Sequence, residues 1–156
     1  MAMTRTALLL AALTSAAMAG AQPRPAMPQL SPIEMMRNDF AARSGGSTVY
    51  FGAGSAQIGA PAAAVLAAQA IWIRQHPEML VRIEGSADPG DTRDHALAMG
   101  ARRANEVRNY LILLGVPAGQ VSATSWGKEH PGTGRTFTNI VGPAPLSGPA
   151  LMPAGG

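Results

Sequence analysis

The sequence predicts an α/β two-layer sandwich: one mixed four-stranded sheet with helices packed on one face. Two observations lead there. Short β-branched or alternating segments at 47–51, 79–85, 120–126 and 136–142 read as strands, while 61–76 and 93–114 carry the three-and-four spacing of helices. The order is strand, helix, strand, helix, strand, strand, and strands alternating with helices place those helices over a sheet. A chain of 156 residues is long enough to bury one core.

Residues 1–21 have the form of a secretory signal peptide. Arg5 gives the positive start, ALLLAALTSAAM is a short apolar run, and AMAGAQ sets small residues before cleavage after Ala19 or Ala21. The run falls short of the roughly 17 residues that a membrane span needs; an uncleaved anchor is the alternative. Residues 22–46 read as a Pro-rich linker followed by a short helix. In SPIEMMRNDFAAR, Ser31 is the N-cap, Pro32 the first helical residue and Glu34 the capping-box partner.

The strand STVYF opens a domain spanning 47–142. The helix 61–76 begins at Pro61 and is expected to bury Val65, Ala68, Ile71 and Trp72. Pro77 ends it by disfavouring helical geometry at His76. In MLVRIEG, Val81 and Ile83 alternate with Arg82 and Glu84. The long helix 93–114 is expected to bury Leu97, Ala101, Ala104, Val107, Leu111 and Leu114, with Gly115 after its last turn and Pro117 beyond. Residues 143–156 form a Pro/Gly/Ala tail with nothing to pack, expected to be disordered.

The composition excludes several functions. There is no cysteine, hence no disulfide, no thiol chemistry and no lipobox. The formal charge of +3 becomes +2 once Arg5 is removed, and the charges are scattered, so nucleic acid finds no basic patch. His76, His95 and His130 are dispersed, without the paired spacing of a zinc site. Asp88, Asp91 and Asp94 lie three apart beside His95, but the alternate oxygens and later Glu of a calcium loop are missing. Asp91 or Thr92 reads as an N-cap with acidic charge in the first turn. GTGR at 132–135 lacks the lysine and helix of a phosphate loop, and no Ser-His-Asp grouping has local support. No metal, cofactor or catalysis is expected.

The stretch EGSADPGDTRDHALAMGARRANEV, 84–107, stands apart. Asp88 sits in a Pro/Gly turn at the start of the long helix, where the helix dipole favours an anion. Arg103 falls at the edge of that helix's buried stripe, so its stem is expected to lie along apolar surface and its guanidinium to emerge at a rim. The two could form a plain salt bridge. They could also bracket a zwitterion, the Asp taking an ammonium and the Arg a carboxylate.

Read in order, VYF, VRIEGSAD, GARRANEVRNYL and LGVPAGQVSATSWGKEHP resemble the OmpA-like domain, the family that includes the peptidoglycan-associated lipoproteins. The resemblance runs from about Thr48 to Pro131 and implies the same α/β fold. It also implies non-catalytic binding of peptidoglycan in the Gram-negative envelope, through the diaminopimelate of the stem peptide. In the family the Asp of G-x-x-D and the Arg of R-A-x-x-V hold that residue; these correspond to Asp88 and Arg103. Gly52, Ser55, Thr92 and Arg135 are secondary candidates. The implied location is the periplasm, with possible outer-membrane association and envelope proteins as further partners.

The chain also departs from the family. Ala96 stands where an Asn is usual, Asp91 where a turn glycine is frequent, and the N-R-R that opens the last strand is reduced to Arg135. These departures support an alternative, a degenerate domain serving as a protein-interaction module in an envelope complex.

Overall fold

The computed structural model describes residues 29–129 and 134–144. The signal-peptide reading of 1–21, most of the Pro-rich stretch and the tail beyond Ala144 lie outside the described residues. The elements are α1 (Pro32–Arg43), β1 (Thr48–Tyr50), α2 (Ala60–Gln75), β2 (Met79–Ser86), α3 (Arg93–Leu113), β3 (Val121–Gly127) and β4 (Arg135–Pro143). The four strands form one mixed sheet in the order β1-β4-β2-β3. β2 and β3 run parallel, as a strand-helix-strand connection through α3 requires, and β4 lies antiparallel between β1 and β2. The expected two-layer α/β sandwich is the architecture found.

One face of the sheet carries the core. Val49, Val81, Ile83, Val121 and Ile140 meet Leu66, Ala70, Trp72 and Ile73 of α2 and Ala104, Val107 and Leu111 of α3. The other face leaves Tyr50, Phe137 and Val141 exposed. Among the described residues no helix is long and apolar enough to cross a membrane.

Both long helices bury part of the expected stripes, Trp72 in α2 and Ala104, Val107 and Leu111 in α3, but each departs from them at one large residue. In α2, Ile71 is 57% exposed, and the buried line runs through Leu66, Gln69, Ala70, Trp72 and Ile73. In α3, Leu97 is 41% exposed, and Ala96, Met99, Gly100, Arg103, Ala104, Val107 and Leu111 face inward. The cause in α3 is a close approach. A Cβ on Gly85 of β2 would lie 2.0 Å from the Gly100 carbonyl oxygen and 3.0 Å from the Ala104 Cβ. The helix presses its smallest residues onto the strand, and Leu97 is rolled outward.

The short helix α1 packs onto the core. Its capping box is formed, with Ser31 N donating to Glu34 Oε2 at 2.7 Å and Glu34 N donating to Ser31 Oγ at 3.4 Å. Phe40 meets Trp72 edge-on at 5.1 Å, and Trp72 Nε1 donates to Asp39 Oδ2 at 2.7 Å. β1 covers β4 only from Arg135 to Phe137; beyond it, Arg37 Nε donates to the Ile140 carbonyl at 2.9 Å and blunts the open edge. β4 runs through Pro143, one residue into the stretch assigned to the tail, and Ala144 N donates to Glu78 O at 2.7 Å. At the C-terminus of α3, Gly115 adopts φ 92° and Val116 N donates to Leu111 O at 3.1 Å, the glycine-terminated end that its sequence predicts.

Candidate functional site

β2 ends at Ser86, and the chain turns through Asp88 into α3. Ala87 N donates to Gly127 O at 2.8 Å, which ties the turn to the end of β3, and Asp91 N donates to Asp88 O at 3.3 Å. Thr92 is the N-cap of α3, its Oγ1 accepting from His95 N at 3.4 Å. The turn therefore holds Asp88 over the first part of α3, level with the loop that follows β1.

Arg103 rises from α3 to meet that loop, but the expected rim position is not what the fold builds. Its side chain is fully buried. Nε donates to Ser55 O at 2.7 Å, Nη1 to Ser86 O at 2.9 Å, and Nη2 to Gly52 O at 3.2 Å and Asp88 Oδ2 at 3.4 Å. The guanidinium also lies over the Phe51 ring, 5.5 Å from its centroid. The reason is the deep seating of α3 on β2 through Gly85 and Gly100. That contact brings the helix within reach of backbone carbonyls, and a buried cation must find such acceptors. Arg103 thus binds the loop after β1, the end of β2 and the Asp88 turn together.

Asp88 remains partly open, with its side chain 29% exposed. Oδ2 accepts from Gly54 N at 3.0 Å as well as from Arg103. The Gly54 amide first, and then the Arg103 charge, hold the carboxyl below the usual aspartate range against the opposing effect of burial. The group is an anion at neutral pH. Oδ1 looks toward Gly134, where φ is 60° and an added Cβ would stand 3.1 Å from that oxygen. Gly134 O in turn accepts from Phe51 N at 2.8 Å, closing the loop after β1 against the start of β4.

Gly52 and Ser55 are brought to Arg103 through their carbonyls, and the Gly54 amide between them reaches Asp88. Thr92 serves as a cap. Arg135 lies one residue past Gly134, and its side chain lines a groove of about 50 Å³ on the open sheet face with Glu84, Trp126 and Phe137. Ala96, in the usual Asn position, is buried in a small apolar cluster with Ala87 and Met99. Sequence reasoning missed Phe51, Ser86 and Gly134. Only Gly134, in a turn before a strand, carries a local signal. Beside the site a shallow groove of about 650 Å³ runs between the 54–58 segment and Glu106 and Tyr110 of α3. Among the described residues no group of three or more His, Cys, Asp or Glu side chains gathers to hold a metal.

Comparison with known proteins places this geometry in a family. The model of the OmpA family matches residues 50–139, more than half the chain. The peptidoglycan-associated lipoprotein of Rhizobium meliloti (strain 1021) is 43% identical over 86 residues, covering 55% of this chain and 49% of that protein. That of Pasteurella multocida (strain Pm70) is 40% identical over 85 residues, 54% of this chain and 57% of its own length. The chain thus spans about half the length of such relatives. Among solved structures, the peptidoglycan-associated lipoprotein from Burkholderia pseudomallei superposes with a TM-score of 0.58 at 32% identity, covering 61% of this chain and 90% of that one. The C-terminal domain of Helicobacter pylori MotB shares the fold, with a TM-score of 0.53 at 22% identity over 58% of this chain and 79% of its own. The chain carrying the Asp88 and Arg103 pair belongs to the OmpA family.

Proposed function

We propose that this protein binds peptidoglycan in the periplasm, non-covalently and without catalysis, at the Asp88 turn. The diaminopimelate of the stem peptide is the ligand group. The observation that carries the reading is the division of labour in the Asp88 carboxylate. Oδ2 is held by Gly54 N and Arg103, while Oδ1 faces the bare backbone of Gly134. A fixed, deprotonated carboxylate that stays partly exposed is a receptor for an ammonium, which diaminopimelate supplies. The groove between the 54–58 segment and α3 gives the rest of the stem peptide a place to lie. The relatives named peptidoglycan-associated lipoprotein support the same class of ligand.

Arg103 contributes from beneath. It fixes the loop and Asp88, and sets a positive charge under the pocket. Envelope localisation and association with the outer membrane are parts of the same proposal.

The test is co-sedimentation of the purified protein with sacculi of diaminopimelate type. The parent is expected to pellet with the wall, and Asp88→Asn to stay in solution while melting cooperatively. A second reading, an interaction module in an envelope complex, is favoured by Ala96 being buried among apolar side chains instead of facing the pocket with an amide. A folded parent that stays in solution at about 100 μM, near the −5 to −6 kcal/mol limit of useful affinity, would select that reading.

A further inference from the structure

We infer that the open face of the sheet is a second contact for peptidoglycan, taking the neutral, N-acetylated glycan strand to which the stem peptide is joined. This rests on the peptidoglycan reading above and adds a sugar site to it.

The helices cover one face of the sheet, and the other face gathers aromatic side chains at one end. Tyr50 of β1, Phe137 of β4 and Trp126 of β3 all stay exposed there. Tyr50 lies opposite Arg135, and Phe137 opposite Glu84. Glu84 in turn faces Thr124, two residues before Trp126, so the three rings share one side of the sheet. Glu84, Ser86 and Arg135 stand among them and line a groove with Trp126 and Phe137. Glu84 Oε1 accepts from Asn139 Nδ2 at 3.5 Å, and Ser86 Oγ donates to Arg135 O at 3.0 Å.

Exposed rings with charged and hydroxyl groups among them match a sugar. A pyranose has apolar C–H faces and a rim of hydroxyls. The electron-rich faces of the rings attract the C–H groups, while a carboxylate and a guanidinium accept from and donate to the hydroxyls. The glycan strand is uncharged where its lactyl carboxyl is amide-bonded to the stem peptide. Glu84 and Arg135 bring one charge of each sign to the groove, which favours such a neutral, polar ligand over a charged one.

This face begins at the Asp88 turn. Arg135 follows Gly134, where an added Cβ would stand 3.1 Å from Asp88 Oδ1. Ser86 precedes Asp88 by two residues, a span of no more than about 7 Å. The stem peptide runs two ways from its diaminopimelate. One arm has the groove beside α3; the other reaches the sugar through two residues, on the order of 10 Å of extended chain. A unit seated at Asp88 thus brings its sugar within reach of Arg135, Ser86 and Trp126.

The experiment uses peptide-free glycan strands and tryptophan emission. Of the two tryptophans, Trp72 is 2% exposed and bonded to Asp39, while Trp126 is 39% exposed, so glycan on the sheet face alters Trp126. The strands are expected to change the emission saturably, and equally in the parent and in Asp88→Asn. Trp126→Ala, still melting cooperatively, should bind intact sacculi about fivefold or more weakly, and Trp126→Phe should stay within about twofold of the parent. No emission change, with Trp126→Ala pelleting on sacculi like the parent, overturns this inference and leaves the Asp88 reading standing. Emission that moves with protein concentration in the absence of glycan, together with a dimer in sedimentation, gives the face to a second copy and also overturns it. A parent that neither pellets with sacculi nor responds to glycan overturns both.

Discussion

Arg103 Nη2 stands 3.4 Å from Asp88 Oδ2, with the arginine side chain completely buried and the aspartate still 29% exposed. The pair is therefore asymmetric: one partner belongs to the interior and the other to the surface. Removing the interior partner should damage the fold far more than removing the outer one. Arg103→Met leaves the carbonyls of Ser55, Ser86 and Gly52 and the Asp88 carboxylate without their donor. The expected loss is about 3–5 kcal/mol, read by urea denaturation. Arg103→Lys supplies one ammonium where three nitrogens acted, and should recover only part of it. Asp88→Asn keeps the shape and should cost no more than about 1–2 kcal/mol. Comparable losses for the methionine and asparagine variants would show that the arginine is not the hub.

The pH dependence of the Asp88 contribution follows from its depressed pKa. The Gly54 amide and the Arg103 charge lower it in the folded protein, so the unfolded chain binds a proton first as pH falls. The stabilisation is full above the unfolded value of about 3.9 and disappears as pH drops through the lower folded value. The stability difference between the parent and Asp88→Asn should be flat from about pH 7 to pH 5 and shrink only below about pH 4. Parallel melts across that range measure it. A difference already halved at about pH 5.5 would contradict a depressed pKa.

The Gly85–Gly100 approach is the third target. A methyl on Gly85 would meet the Gly100 carbonyl oxygen at 2.0 Å, a separation no real contact allows. Gly85→Ala must lift α3 from β2, and with it Arg103 from Ser86 O. The expected cost is at least about 3 kcal/mol, at the upper end of overpacking effects. Gly90→Ala, where nothing lies within 4 Å of an added methyl, is the matched control and should be near neutral.

These three predictions also mark how far the sequence could be read. Strand and helix boundaries follow within a residue from alternation, proline starts and the Gly115 end, because those signals are local. Asp88 is legible for the same reason, as a carboxylate in a Pro/Gly turn after a strand. The burial of Arg103 is not. Its acceptors at Ser55 and Gly52 lie 48 and 51 residues away and are backbone carbonyls, which every residue possesses. The rotation that exposes Leu97 comes from a contact between two glycines on different elements, and helical periodicity registers neither. A rim position was the natural expectation for an arginine beside an apolar stripe. Only the depth at which α3 sits decides otherwise.

Gly134 supplies the last test, because it joins the backbone of the site to its chemistry. Its φ of 60° lies in the left-handed region, and a Cβ there would stand 3.1 Å from Asp88 Oδ1 and 3.8 Å from Arg103 Nη2. Gly134→Ala therefore does two things. It adds backbone strain of about 1 kcal/mol, and it sets a methyl against Asp88 Oδ1, where the proposed ammonium would sit. Gly134→Asn separates the effects, since asparagine tolerates this backbone conformation better while still placing a Cβ over Oδ1. The alanine variant should lose both stability and wall binding. The asparagine variant should recover stability and still bind about fivefold or more weakly than the parent, a change of about 1 kcal/mol. Wall binding that follows stability in both variants would mean that Oδ1 is not where the ligand sits.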